Sequence, residues 1–191
     1  NTDRLFNLTN QLLDFRKTEI NGFSLNFVNT NISNILSDIF DVFIPVAEEK
    51  NFKYKLFLPD EKIFAYVDTE AFYKIISNLI DNALKYSEKS IEIKLEVPDN
   101  NLEIFSVTVT NEGPPIQPEL REKIFEPFFR ATENQLKQGT GIGLSLSKSL
   151  AELHGGNLFA SVDEKGYNIF VLQLPIHQLI EFNLKGIWKK Q

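Results

Sequence analysis

At residue 87 the hydrophobic pattern of this chain changes its period, and that change dictates the kind of fold open to it. Over 69–86, Phe72, Ile75, Ile76, Leu79, Ile80, Ala83 and Leu84 fall on one face of a long helix that Asp68 can cap. Directly afterwards Ile91, Ile93, Leu95 and Val97 alternate with Glu92, Lys94 and Glu96, the pattern of a half-buried strand. Asp99-Asn100-Asn101 reads as the turn of a hairpin, with 102–110 (Phe105, Val107, Val109) as its second strand. A one-sided helix and a one-sided antiparallel pair bury their apolar faces by packing helix on sheet.

The rest of the chain extends that pattern. Leu5, Leu8, Leu12 and Phe15 predict an amphipathic helix over 4–20, and Phe23, Leu25 and Phe27 a strand after it. A helix is expected over 33–50 with Ser33 as its N-cap, and Pro45 should kink it or start a new segment. Phe52, Tyr54, Leu56 and Leu58 predict a strand, and 63–67 a short edge strand. The proline- and glycine-bearing stretch 111–141 reads as a long loop with one short helical stretch around 119–125. A helix over 142–154, strands near 157–162 and 168–174, and a tail over 176–191 complete the reading. The fold expected is α+β: a two-layer α/β sandwich, its mixed, mostly antiparallel sheet of about five strands covered by about three helices and preceded by one amphipathic helix.

Composition narrows the chemistry. Among 191 residues there is no cysteine, which excludes a disulfide framework, a thiol nucleophile and a thiolate zinc site. The presence of only His154 and His177 argues against a multi-histidine metal site as well. The net charge of −6 argues against direct nucleic-acid binding, and no apolar run is long enough to span a membrane. The chain opens on Asn1 and holds no methionine, so it reads as part of something longer. Catalysis is left to carboxylates, amides, Lys, Arg, backbone N–H groups and bound cofactors.

Two segments carry such groups in a suggestive arrangement. Asn78, Asn82 and Lys85 share a stripe beside the apolar face of helix 69–86, where two carboxamides and an ammonium can meet a divalent cation and phosphate oxygens. Gly139-Thr140-Gly141-Ile142-Gly143-Leu144 precedes a helix, so an anion can approach backbone N–H groups at that helix's positive end. Taken singly, the first can be a solvated face and the second an ordinary turn. The glycine run is neither a Walker A loop nor a dinucleotide fingerprint, since no Gly-Lys-Ser/Thr follows and no strand precedes it.

In order along the chain these segments resemble the sensor histidine kinases of two-component systems. Asn78 to Ser87 resembles their N box, Asn111-Glu112-Gly113-Pro114-Pro115-Ile116 the G1 box, Phe125-Glu126-Pro127-Phe128-Phe129-Arg130 the F box, and Gly139 to Leu144 the G2 box. His154-Gly155-Gly156 and the strand Phe170 to Pro175 are also similar, and Leu5–Ile20 resembles the second dimerisation helix of such kinases. The resemblance implies three parts: residues 1–22 ending the dimerisation and phosphoacceptor helix, 23–175 an ATP-binding catalytic domain of the Bergerat type, and 176–191 a tail or linker.

Carried over residue by residue, Asn82 would be the main Mg²⁺ ligand and Asn78 would help position metal or water. Lys85 would contact the phosphates, Tyr86 would lie beside the nucleotide and Arg130 would approach the γ-phosphate. The backbone of Gly139, Gly141 and Gly143 would hold the phosphate chain, with Thr140, Ile142 and Leu144 of the same box beside it. Asn111, Gly113 and Ile116 would complete the ATP site, under a lid at 117–138 anchored by Phe125, Phe128 and Phe129. The reaction implied is transfer of the γ-phosphoryl group to a histidine on a helix preceding residue 1, for relay to a response-regulator receiver domain in cis or in trans. The implied partners are the protein's own dimerisation helices, as a homodimer, and that receiver; the implied setting is the cytoplasmic side of a membrane-anchored sensor, without membrane contact by this stretch.

Three departures from the family pattern stand out. Asn111 takes the place of an Asp that accepts a hydrogen bond from the adenine amino group, Pro115 replaces a glycine, and Gly166-Tyr167-Asn168 stands where a Gly-Thr sequence is common. They leave open a degenerate nucleotide-binding or interaction module of the same fold without kinase activity. A water-hydrolysing ATPase of that fold would use a Glu where this chain has Asn78.

Overall fold

The computed structural model describes residues 9, 13, 24–98, 103–130 and 139–178. The helix expected over 4–20, apart from Thr9 and Leu13, lies outside them, as do the hairpin turn at 99–101 and the tail beyond residue 178. Strand β1 (Val28–Asn31) leads into helix α1 (Ile32–Glu49), followed by β2 (Lys53–Phe57), β3 (Phe64–Val67) and helix α2 (Thr69–Tyr86). Then come the strands β4 (Ser90–Glu96) and β5 (Ile104–Asn111), two 3₁₀ turns at Pro118–Leu120 and Lys123–Phe125, helix α3 (Gly143–Leu153), β6 (Asn157–Val162) and β7 (Asn168–Pro175).

The main sheet has five strands in the order β2-β4-β5-β7-β6, with β2 and β4 parallel and every other neighbouring pair antiparallel. The expected mixed, mostly antiparallel two-layer sandwich is what forms. Alternation explains it: Ile91, Ile93 and Leu95 of β4, Phe105, Val107 and Val109 of β5, and Phe170, Leu172 and Leu174 of β7 are all buried. The apolar stripe of α2, from Phe72 through Ile75, Ile76, Leu79 and Ile80 to Leu84, is buried with them. These fully buried Ile, Leu and Phe side chains are each worth about 1.5–3 kcal/mol relative to an exposed site. Asp68 caps α2 as expected, its Oδ1 accepting from the Ala71 N–H at 2.9 Å.

Several local expectations are corrected. The strand expected over Phe23–Phe27 is displaced to Val28–Asn31, because β1 pairs with β3 from Val28↔Val67 to Asn31↔Phe64, and that ladder ends where Asp68 opens α2. The short edge strand expected at 63–67 does form, as one half of a separate two-stranded sheet. Asn31, not Ser33, caps α1, its Oδ1 accepting from the Asn34 N–H at 3.1 Å. Ser33 is buried inside the helix, where its hydroxyl faces the Ile63 N–H. Pro45 does not start a new segment, for α1 runs through it. It sits with Asp41 on the exposed side, where water can take up the carbonyl that loses its N–H partner. The short helical stretch expected around 119–125 forms as two 3₁₀ turns.

Candidate functional site

Helix α2 leans on the sheet through its apolar stripe, and this turns Asn78, Asp81, Asn82, Lys85 and Tyr86 toward a cavity walled on its far side by the glycine loop and the start of α3. Asn78 ties the two walls together: its Nδ2 donates to the Gly143 carbonyl at 3.2 Å and to Ser147 Oγ at 3.1 Å. That leaves the amide oxygen as the group Asn78 can offer a ligand. Asn82, one turn on, makes no side-chain hydrogen bond among the described residues. Lys85 is ion-paired with Asp81 at i, i+4.

The floor of the cavity comes from the sheet and the turn after β5. Asn111 and Asn168 face each other as partners across β5 and β7, both 2% exposed and both lining the cavity. Asn168 holds the turn shut: its Nδ2 donates to the Pro114 carbonyl at 3.0 Å and its Oδ1 accepts from the Ile116 N–H at 2.8 Å. Asn111 by contrast has a buried Nδ2 with no partner. Gly113 lies so close to the last turn of α2 that a Cβ there would sit 2.2 Å from the Tyr86 carbonyl oxygen.

The opposite wall is shaped by Gly141, whose φ of +73° lies in the left-handed region. A Cβ at this position would be 2.9 Å from the Phe128 backbone, while the Phe128 N–H donates to the Gly141 carbonyl at 2.9 Å. The segment carrying Phe129 and Arg130 is thus laid directly on the glycine loop. Helix α3 begins at this loop with Ile142 as its N-cap, without a side-chain cap and without an acidic residue in its first turn. Its leading N–H groups and the positive end of its dipole are left for an anion.

Of the residues singled out from sequence, Asn78, Asn82, Lys85, Tyr86, Asn111, Ile116, Arg130, Gly139, Thr140, Gly141, Gly143 and Leu144 line this one cavity. Gly113, Phe125 and Ile142 do not line it. Gly113 serves as the close contact to Tyr86. Phe125 is 7% exposed and packs beneath Lys148 of α3, whose ammonium stands 5.2 Å from its ring centre. Ile142 is fully buried and its N–H donates to Thr140 Oγ1 at 3.3 Å. Phe128, expected as a lid anchor, is 60% exposed, whereas Phe129 lines the cavity. Residues 131–138 of the expected lid lie outside the described residues.

Sequence reasoning passed over Asp81, Ile124 and Phe170, which also line the cavity. Asp81 had a legible signal, since it stands four residues before Lys85 on the same stripe. Ile124 and Phe170 had none, being indistinguishable from core residues. Among the described residues no three His, Asp or Glu side chains gather to hold a metal ion. A hard cation here would draw on the Asn78 and Asn82 amide oxygens and on a ligand's own phosphates, an oxygen set that suits Mg²⁺.

His154, at the end of α3, is fully buried and structural. Its Nδ1 donates to the Leu150 carbonyl at 2.7 Å, its Nε2 accepts from the Asp68 N–H at 3.2 Å, and the Phe27 ring meets it edge-on. Burial holds its pKa below the ordinary 6.5, against the opposing pull of these hydrogen bonds and of the Asp68 charge.

An uncapped helix end and two carboxamides line one cleft of an α/β sandwich, a set of groups suited to a phosphate-bearing ligand. Residues 67–178 match the family of histidine kinase-, DNA gyrase B- and HSP90-like ATPases. Histidine kinase P4 of Formosa agariphila is 31% identical over 179 residues, which is 91% of this chain and 13% of that protein. Full-length ShkA in complex with AMPPNP shares the fold at a TM-score of 0.81 and 22% identity, over 91% of this chain and 36% of that one. Histidine kinase ThkA, in complex with the response regulator TrrA, does so at 0.73 and 23% identity, over 92% and 48%. The chain belongs to the histidine kinase-, DNA gyrase B- and HSP90-like ATPase family, and within it to the catalytic domains of sensor histidine kinases; it spans less than half the length of each of these three relatives.

Proposed function

We propose that the cavity binds Mg·ATP and that the chain transfers the γ-phosphoryl group to a histidine on a dimerisation helix of the longer protein. The observation that carries this reading is the uncapped N-terminus of α3 set opposite Asn82, with the Gly139–Gly143 loop between them. The α3 amides and the loop backbone hold the phosphate chain. Lys85 and Arg130 supply positive charge where it builds up during transfer. Asn82, assisted by the Asn78 oxygen, would hold Mg²⁺, which would neutralise charge on the phosphates.

The P–O bond to ADP breaks as a P–N bond to the acceptor imidazole forms, so the chain's task is alignment and charge stabilisation. His154 is not the acceptor, since both ring nitrogens are engaged in a sealed site. Water is a poor alternative acceptor, because Asn78 presents a carboxamide that can take no proton. The same reading divides the chain into the end of a dimerisation helix (1–22), the catalytic domain (23–175) and a tail (176–191). It makes the helix pair of a homodimer and a receiver domain the partners. No described helix is long and apolar enough to cross a membrane, and the reading places this stretch on the cytoplasmic side of a membrane-anchored sensor.

The test mixes the chain with a separately prepared helix pair carrying the acceptor histidine, in the presence of Mg·ATP. Acid-labile phosphate on that helix is the expected result. Nucleotide binding without transfer would instead favour the non-catalytic module.

A further inference from the structure

We infer that the base end of this cavity does not discriminate between 6-amino and 6-oxo purines, because Asn111 reads the ring's 6-position with a carboxamide that is free to turn over. The inference rests on the nucleotide reading of the cavity and concerns which nucleotides it takes. Ile116, Leu144 and Phe170 give the cavity an apolar lining suited to a flat heteroaromatic ring, and Asn111 is the buried polar group at its floor without a protein partner.

The contrast with Asn168, opposite it on the same rung, is decisive. Asn168 uses both ends of its amide on the 114–116 turn, which fixes its orientation. Asn111 makes no side-chain hydrogen bond among the described residues, and its inward NH₂ meets no acceptor. Rotating the amide by half a turn therefore breaks nothing, and it places at the sealed position a carbonyl, which tolerates lack of a partner better than an N–H does. With oxygen outward, Asn111 accepts from a 6-amino group; with NH₂ outward, it donates to a 6-oxo group. A carboxylate at this position can only accept, and would repel the 6-oxo ring.

The experiment titrates the full 191-residue chain, with Mg²⁺ present, with ADP, with inosine diphosphate and with purine riboside diphosphate, by calorimetry. The first two differ at the ring's 6-position, and the third has no group there. ADP and inosine diphosphate are expected within about fivefold of each other, and the unsubstituted nucleotide about tenfold weaker than both. Asn111→Asp is expected to move the ratio at least about tenfold toward ADP. A wild-type preference beyond about fivefold in either direction overturns the inference while leaving nucleotide binding intact. An unsubstituted ring that binds as tightly as the others overturns it too, even where Asn111→Asp does not fold. An unchanged ratio in a folded Asn111→Asp protein has the same meaning. Binding of none of the three overturns the nucleotide reading itself.

Discussion

Single residues in this chain divide into those that shape the cavity and those left free to meet a ligand. Gly141 shapes it, through a positive φ and through contact with the Phe128 backbone. Gly141→Ala is expected to cost at least about 1–2 kcal/mol from the backbone conformation alone, read as a lower denaturant midpoint, and to weaken nucleotide binding as Phe129 and Arg130 shift. His154 acts through its proton balance. Its native pKa is depressed below 6.5, so the unfolded chain binds a proton that the folded chain resists. The stability from neutral His154 is complete above that value and is lost as pH falls through 6.5 toward the lower native pKa. Within that window unfolding takes up a proton, so stability falls as the pH is lowered. Urea unfolding of wild type and His154→Gln across mildly acidic pH checks it, with a shallower dependence expected in the variant.

At the scale of elements, the two asparagines of α2 should separate by what each does. Asn78 joins α2 to α3 through two hydrogen bonds, so Asn78→Ala is expected to lower the stability of the ligand-free chain by about 1–3 kcal/mol. Asn82 has no such partner, and Asn82→Ala should change ligand-free stability by less than about 0.5 kcal/mol while weakening Mg-nucleotide binding. Thermal unfolding of both variants, with and without nucleotide, distinguishes the two roles. The difference was not legible in sequence, where both are mid-helix asparagines on one stripe; only the approach of α3 assigns Asn78 its double role. The same limit explains β1. Alternation at Phe23, Leu25 and Phe27 marks a half-buried segment, and 24–27 is alternately exposed and half-buried, but the ladder forms where β3 supplies a partner. By contrast α2 and the β4–β5 pair were plain, because one long apolar face and one strict alternation each admit a single burial.

For the molecule as a whole, the sequence carried the layers, the wall residues of the cavity and Asn111 of its floor, whereas the strand order and the pairing of Asn111 with Asn168 came from long-range contacts. The parallel β2–β4 contact and the rung Asn111↔Asn168 each join strands far apart in the chain. No local pattern records such pairings, so the turn-holding role of Asn168 was hidden in a segment that read as a reduced glycine motif. The assembled cavity makes one demand on the whole chain: a ligand gripped between α2, the glycine loop and α3 must stabilise the folded state. The decisive measurement is thermal unfolding of the 191-residue chain with and without Mg·ATP, in wild type and in Asn82→Ala. At a nucleotide concentration about a hundredfold above Kd, wild type should gain about 2.7 kcal/mol, a rise in Tm of roughly 5–10 °C, and Asn82→Ala should lose most of that gain. An unchanged Tm in wild type at saturating Mg·ATP, or an equal rise in both proteins, would contradict the assignment of this cavity.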